Sequence, residues 1–329
     1  MTDTGSQAAQ SKPASTGQPL AIRVGAELAG SFIVIFAIYA FSTFGSALFG
    51  INMAFIALAT GAAYAAATFI FAKVSGGQFN PAITLASMLV GHTKPLDGIL
   101  YIIAQVLGGI VAGALVIGIL PTTETLTKKI WLTDAVNGFG DGSVSASMLS
   151  SVNASFDITL AVVVEIIASV LVIAAAMATS HNDANAASRA TAMGLAYGLG
   201  AAVTYPVTGA GMNPARSTGI ALFARNAGLS VNPLQQLWVF WICPILAGAI
   251  VAMVMIGAQL INDQAAARRA AAEAQQSAQA LPGETDAENT AADDAQQDED
   301  GQDIPADGIA DSDHEVDAQG EGGQPETEA

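Results

Sequence analysis

The chain has 329 residues, of which 52% are hydrophobic and only 12% are charged, whereas soluble domains carry about 25% charged residues. The formal net charge of −17 arises at the C-terminus, because 18 of the 28 acidic residues and none of the 11 basic residues follow residue 272. One cysteine, Cys243, and three histidines outside the apolar segments exclude a disulfide framework, a thiolate cluster and a haem or zinc site. We therefore expect a membrane protein without a metal or cofactor.

Six apolar segments predict membrane-spanning helices. Residues 1–19, rich in Ser, Thr, Gln and Ala, precede them and predict a short disordered arm, since they lack the basic start and apolar core of a signal peptide. A hydrocarbon core of about 30 Å takes about 20 helical residues. The segments of suitable length are 22–44, 51–73, 96–120, 158–179, 190–207 and 235–260.

The connections between these segments divide the chain into parts. Residues 121–156 are polar and rich in Ser and Gly, and they predict an extracellular surface loop that joins the halves 20–120 and 157–262. Residues 263–329 are acidic with few aromatic or branched side chains, which predicts a disordered tail. The distribution of Lys and Arg between the loops predicts a multi-pass protein of the cell membrane with both termini cytoplasmic.

The two halves repeat each other. Glu27-Leu28-Ala29-Gly30-Ser31 matches Glu165-Ile166-Ile167-Ala168-Ser169, 138 residues later. Gly76-Gly77-Gln78-Phe79-Asn80-Pro81-Ala82 matches Gly209-Ala210-Gly211-Met212-Asn213-Pro214-Ala215, 133 residues later. Each half contains three spans, an odd number, so the second half enters the membrane from the opposite side. The result is an inverted repeat.

The segments that follow the two Asn-Pro-Ala boxes are too short to cross a membrane. Each has about ten apolar residues, which cover about 15 Å at 1.5 Å per residue. Two such helices meeting end to end complete a seventh, broken span. The sequence thus predicts an all-α membrane protein with six transmembrane helices and two re-entrant half-helices in an inverted repeat, over residues 20–262.

The boxes Asn80-Pro81-Ala82 and Asn213-Pro214-Ala215 predict helix starts, because Asn caps free backbone N–H groups and Pro fits the first helical position. Two helix N-termini that face each other at the membrane centre create a positive field that opposes cations and protons. The amides of Asn80 and Asn213 can also donate hydrogen bonds to a passing water molecule. The alternative for either box alone is a plain helix cap.

Three charged side chains in largely apolar segments are candidate functional residues. Arg216 follows the second box, where it is expected to repel cations and donate hydrogen bonds in the pore; the alternative is an interfacial anchor. Glu27 and Glu165 are expected to accept hydrogen bonds from the irregular backbone before each half-helix, which must be satisfied in lipid. The alternative for these two carboxylates is a proton relay.

Two motifs carry a resemblance to a known family. Ser75-Gly76-Gly77-Gln78-Phe79-Asn80-Pro81-Ala82 and Asn213-Pro214-Ala215-Arg216-Ser217 resemble the major intrinsic protein (aquaporin) family, and the resemblance covers about residues 20–260. It implies a homotetramer with one pore per subunit and passive flux of water or small neutral solutes. In such pores an Arg and the half-helix dipoles are known to exclude protons and cations. Ser217, Ala221 and Phe240-Trp241 resemble the water-channel branch rather than the glycerol facilitators.

The selectivity filter departs from that branch. Alignment outward from each box places Thr60, Ala201, Ala210 and Arg216 at the four constriction positions. Water-selective members of the family usually have an aromatic residue at the first position and His at the second. Three small residues facing one Arg predict a wider and less apolar constriction, which favours passage of small polyols, urea or ammonia as well as water.

Several functions are compatible with these features. The main prediction is a passive channel for water, with small neutral solutes as further candidates, that excludes ions and protons. The alternatives are a broad-range facilitator for glycerol, small polyols or urea, an ion-coupled secondary transporter, and a membrane scaffold that acts through its acidic tail. The expected partners are water, the lipid bilayer and further copies of the chain, with no nucleic acid. No residue set supports catalysis, so we expect no enzyme activity.

Overall fold

The computed structural model describes residues 17–50, 52–180 and 185–279, and every regular element within these ranges is a helix. The prediction of an all-α fold is confirmed. Most of the predicted N-terminal arm, Ile51 at the start of the second predicted span and residues 280–329 of the predicted acidic tail lie outside the described residues.

Eight principal helices form the described part of the chain. In chain order they are α1 Leu20–Ala40, α2 Met53–Ser75, α3 Pro81–Leu89, α4 Pro95–Ile119, α5 Ile158–Ala178, α6 Ala186–Thr208, α7 Pro214–Ala224 and α8 Val239–Gln279. A π-helical turn and a short helix extend α1, and brief helical turns interrupt the loops, at Phe41–Gly45, Ser46–Phe49, Lys128–Leu132, Gly140–Gly142, Ala146–Ser150 and Pro233–Gln236. The six long helices are the predicted spans, and α3 and α7 begin at the two boxes.

Five helical stretches of the described residues are long and apolar enough to cross a membrane, at Leu20–Phe49, Met53–Ser75, Pro95–Ile119, Ile158–Ala178 and Pro233–Ser277. The remaining predicted span, α6, has the necessary length with 23 residues. Its lower hydropathy follows from Arg189 and from several Gly and Thr residues. Because α6 packs against both α2 and α5, much of its surface contacts protein, where small and polar residues are tolerated.

The last helix is longer than the sequence analysis predicts. α8 extends to Gln279, so the expected disorder is wrong for residues 263–279. Eight of these 17 residues are alanine, which has the highest intrinsic helix propensity. Extension of an existing helix also avoids the cost of nucleation. The stretch is exposed as far as its side chains are described, so propensity rather than burial accounts for it.

Glycines bring helices of the two halves into backbone contact. α2 packs along α6, and α4 packs along both α1 and α7. A Cβ atom on Gly61 of α2 would lie 2.5 Å from the carbonyl oxygen of Gly194 in α6, which leaves no room for a side chain. Gly61 and Gly194 are 133 residues apart, the same offset that separates the two boxes. The close crossing of α2 and α6 therefore lies at equivalent positions of the repeat.

The long helices present large apolar side chains outward. Leu58 and Leu195 are 74% and 70% exposed, and Val254 is 68% exposed. Contiguous exposed apolar surface of this kind is characteristic of a lipid-facing or subunit-facing exterior. It surrounds an interior that holds the buried polar residues described next.

Candidate pore site

Each Asn-Pro-Ala box begins a half-helix in the manner that local capping predicts. α3 has 9 residues and α7 has 11 residues. The side-chain oxygen of Asn80 accepts a hydrogen bond from the Ala82 N–H at 2.9 Å. The oxygen of Asn213 accepts from the N–H groups of Ala215 at 2.9 Å and Arg216 at 3.4 Å. Because both side-chain oxygens are used as caps, both amide NH₂ groups point away from their own helix.

The two boxes are tied to each other. The amide nitrogen of Asn80 donates to the Met212 carbonyl at 2.9 Å, and that of Asn213 donates to the Phe79 carbonyl at 2.8 Å. Phe79 and Met212 have φ of 48° and 49°, a left-handed conformation that is uncommon for residues other than glycine. The N-termini of α3 and α7 are thus held together, and at 1.5 Å per residue the two helices cover about 30 Å.

The two buried carboxylates lie against the loops that precede the half-helices. Glu27 accepts hydrogen bonds from the Ser75 hydroxyl at 2.6 Å, the Gln105 amide at 2.8 Å and the N–H groups of Gln78 and Phe79 at 3.0 and 2.8 Å. Glu165 accepts from the Thr208 hydroxyl at 2.5 Å and the N–H groups of Gly211 and Met212 at 3.0 and 2.7 Å. Both carboxylates therefore satisfy N–H groups that no helix satisfies.

Arg216 lies in the first turn of α7 with its side chain buried, 2% exposed. Its guanidinium donates to the side-chain oxygen of Asn137, to the Gly209 carbonyl at 2.8 Å and to the Ala135 carbonyl at 3.5 Å. These partners are uncharged oxygens, so the positive charge is not neutralised by an ion pair with them. The Nε atom is buried and has no hydrogen-bond partner among the described residues.

The segment that contacts Arg216 belongs to the predicted surface loop 121–156. Part of this loop is instead folded into the protein, and its buried residues include Trp131, Leu132, Ala135, Val136 and Asn137. Asn137 also accepts from the Ser217 hydroxyl at 2.8 Å and donates to the carbonyls of Thr208 and Gly209. The prediction of a surface loop is therefore wrong for these buried residues, and Asn137 supplies hydrogen bonds to the backbone before the second box. Burial also raises the pKa of the Asp134 carboxyl in the same loop, so this carboxyl loses its charge at a higher pH than an exposed aspartate does.

The other three predicted filter residues are buried and small. Thr60, Ala201 and Ala210 are 3%, 0% and 4% exposed. Ala210 belongs to the loop before the second box and has a left-handed φ of 58°. The Thr60 hydroxyl has no hydrogen-bond partner in the described part of the chain. It and Arg216 thus supply polar atoms to the region where sequence alignment places the filter.

A pair of tyrosines that was not predicted from the sequence lies at the centre of the site. The hydroxyl of Tyr197 accepts a hydrogen bond from the Asn80 amide, and that of Tyr64 accepts one from the Asn213 amide, both at 2.8 Å. The two rings are stacked with centroids 3.2 Å apart and an interplanar angle of 2°. The repeat itself contained the signal: each tyrosine precedes its box's asparagine by 16 residues, and the two tyrosines are 133 residues apart.

No group of three or more His, Cys, Asp or Glu side chains suited to a metal ion occurs within the described ranges. The site is built instead from asparagine amides, hydroxyls, backbone carbonyls and one guanidinium. Six long helices that enclose two half-helices, with the two N-termini facing each other inside the protein, define a membrane channel architecture.

Comparison with known proteins agrees with this architecture. The profile of the family described as Major intrinsic protein matches residues 18–255. Aquaporin Z of Photorhabdus laumondii subsp. laumondii is 30% identical over 230 residues, which are 69% of this chain and 93% of that protein. Aquaporin Z of Brucella melitensis biotype 1 is 31% identical over 237 residues, 71% of this chain and 96% of that protein.

A solved structure shows the same fold. The X-ray structure of the aquaglyceroporin from Plasmodium falciparum matches with a TM-score of 0.57 at 17% identity, over 72% of this chain and 93% of that one. The chain therefore belongs to the major intrinsic protein family. The resemblance found in the sequence is thereby confirmed.

Proposed function

We propose that this chain is a passive channel for water that excludes ions and protons. The observation that carries the proposal is a pair of reciprocal hydrogen bonds. Asn80 and Asn213 each donate to a backbone carbonyl of the other loop, which holds two helix N-termini together inside the protein. The positive ends of both half-helix dipoles meet there and oppose a cation or a hopping proton. The name Aquaporin Z of the two relatives supports water as the solute.

Arg216 adds a second barrier to cations. Its side chain is buried and its partners are neutral, so these partners do not neutralise the positive charge and water screens it poorly. We assign Thr60, Ala201, Ala210 and Arg216 to the selectivity filter. We expect water to bind the Nε–H of Arg216 and the Thr60 hydroxyl, which have no hydrogen-bond partner among the described residues, whereas a cation meets repulsion.

A broad-range facilitator for glycerol, small polyols or urea is the second candidate. It is favoured by the small residues of the filter, since Thr60 and Ala201 stand where water-selective members of the family usually have an aromatic residue and His. The ion-coupled transporter is not favoured, because Glu27 and Glu165 accept three or four hydrogen bonds each and leave no free carboxylate for a coupling ion. Since Glu27 and Glu165 are occupied by these hydrogen bonds, we propose no catalytic role for them.

We also propose that the chain forms a homotetramer in the cell membrane with both termini cytoplasmic. An apolar groove along α2 and α6, lined by Leu58, Leu195 and Leu199 among others, supports contact with another subunit. Native mass spectrometry in detergent should give four times the chain mass of 33.2 kDa. A mass equal to that of one chain, at a detergent concentration that preserves the fold, would contradict the tetramer. A green fluorescent protein fused after residue 329 should be fluorescent if the C-terminus is cytoplasmic.

The experiment that tests the function is stopped-flow light scattering on proteoliposomes. We expect osmotic water permeability above that of empty vesicles, measured at equal lipid content and vesicle size. Parallel glycerol and urea gradients separate the two candidates, because fast glycerol equilibration is expected only of the broad-range facilitator. Water permeability at the level of empty vesicles would contradict the proposal.

A further inference from the structure

We propose that Tyr64 and Tyr197 form the central constriction of this pore and determine which solutes cross between Asn80 and Asn213. The inference rests on the proposed channel function and concerns its selectivity. It places the main discrimination against solutes larger than water at the tyrosine pair, rather than at the small residues of the filter near Arg216.

Both N–H donors of each asparagine amide are already used in hydrogen bonds within the protein. An asparagine amide has two N–H donors. In each box one donor goes to a backbone carbonyl of the other loop and one goes to a tyrosine hydroxyl. A permeating solute that binds Asn80 or Asn213 must therefore displace a tyrosine hydroxyl, which has taken the place that a solute would occupy.

The tyrosine rings also block the path between the two asparagines sterically. Asn80 and Asn213 are 0% and 1% exposed, and both tyrosines are 1% exposed, so a water-sized sphere touches hardly any of the four side chains. The near-parallel rings, 3.2 Å apart, leave no passage between them. In this conformation the path through the asparagine pair is closed, and conduction requires the rings to separate.

The tyrosine pair is held together by the packing of its two helices and by its hydrogen bonds. Aromatic pairs prefer offset or edge-to-face arrangements with centroids 4.5–7 Å apart, so the observed stacking is not the one that ring attraction favours. It follows from the close crossing of α2 and α6 at Gly61 and Gly194 and from the two hydrogen bonds to the asparagines. Separation of the rings costs mainly those two bonds, which makes the pair a displaceable barrier rather than a permanent plug.

Polar side chains lie on α2 one turn to either side of Tyr64. Thr60, Tyr64 and Thr68 are spaced four residues apart on α2, so they share one face of the helix. The two threonine hydroxyls are buried and have no hydrogen-bond partner among the described residues. This face offers water a binding group one turn to either side of Tyr64. A molecule as small as water reaches the asparagines through a slight separation of the rings, whereas a polyol requires a much larger one.

The test compares three variants with the wild type in the same stopped-flow assay. Tyr64→Val/Tyr197→Val removes both rings and both hydroxyls. Tyr64→Phe/Tyr197→Phe keeps the rings and removes only the hydrogen bonds, and its near-identical shape preserves the test if the valine variant fails to fold. Tyr101→Phe is the matched control, since Tyr101 is also 1% exposed but its hydroxyl contacts Arg23 instead of the boxes.

We expect the double valine variant to raise water permeability per reconstituted channel about tenfold, because it removes the rings themselves as well as a barrier of one or two net hydrogen bonds. It should also raise glycerol permeability above that of the wild type. The double phenylalanine variant should raise water permeability less, about threefold, and the control should match the wild type. Unchanged water and glycerol permeability in both double variants, with the wild type above empty vesicles, overturns the inference and leaves the channel function intact. Flux at the empty-vesicle level in every chain overturns the channel function itself.

Discussion

Replacement of Arg216 by valine is expected to raise the leak of protons and monovalent cations about a hundredfold. A unit charge about 6 Å from the buried guanidinium, at an effective dielectric constant of about 20, is repelled by about 3 kcal/mol, and this corresponds to about two orders of magnitude in rate. The variant also removes the hydrogen bonds that the carbonyls of Gly209 and Ala135 accept from Arg216, and Gly209 retains only the one from Asn137. These carbonyls add negative potential at the same place.

The leak is measured with a pH-sensitive dye trapped in proteoliposomes under an imposed potassium and proton gradient. Arg225→Val is the matched control, because Arg225 lies just beyond α7 and is exposed. The control should behave as the wild type. Unchanged cation exclusion in Arg216→Val, with water flux retained, would show that the half-helix dipoles and the tyrosine pair suffice without the guanidinium.

Replacement of Glu165 by alanine is expected to destabilise the fold by about 2–6 kcal/mol. The carboxylate accepts from the N–H groups of Gly211 and Met212, and each buried donor left without a partner costs about 1–3 kcal/mol. The Thr208 hydroxyl is less affected, since it also donates to the Thr204 carbonyl at 3.0 Å. The loop before the second box would lose its support, and water flux would fall with it.

Thermal unfolding in detergent, followed by loss of the monodisperse species, measures this effect. Glu124→Ala is the control at an exposed glutamate and should leave the unfolding temperature unchanged. Glu165→Gln retains one acceptor oxygen and should lie between the wild type and the alanine variant. A Glu165→Ala protein as stable as the control would mean that the loop finds other partners for its N–H groups.

The fold and the two boxes were predictable because they depend on local and repeated features. Helix capping by Asn80 and Asn213 acts within three residues, and the length of an apolar segment decides whether it crosses a membrane. The constant offset between the halves adds the orientation of the second half. Comparison with the family confirms the fold, and in the structure each carboxylate lies against the loop of its own half.

Other parts of the site depend on tertiary contacts that no local pattern encodes. Asn137 lies in a polar segment whose composition is typical of a surface loop, and only its distance from Arg216 in three dimensions gives it a role. The tyrosine pair was open to discovery from the 133-residue offset, yet α2 and α6 each contain many interior-facing positions. Which side chains meet is decided by the close approach of the helices at Gly61 and Gly194.

The end of α8 was missed for a different reason. An alanine-rich, charged segment has a composition typical of disorder when it stands alone. Attached to a long helix, the same residues continue it, because elongation needs only favourable propensity and no buried surface. The composition of residues 263–279 was therefore a poor guide where the preceding helix supplied the nucleus.

The central claim is that water, without protons, passes between the asparagines that join the two half-helices. The most direct test records osmotic water flux and proton flux in the same proteoliposomes, for the wild type and for Tyr64→Val/Tyr197→Val. We predict water permeability above empty vesicles in the wild type, a further rise in the variant, and proton flux at the empty-vesicle level in both. Water permeability equal to that of empty vesicles in both chains, or proton flux that increases together with water flux, would contradict the account.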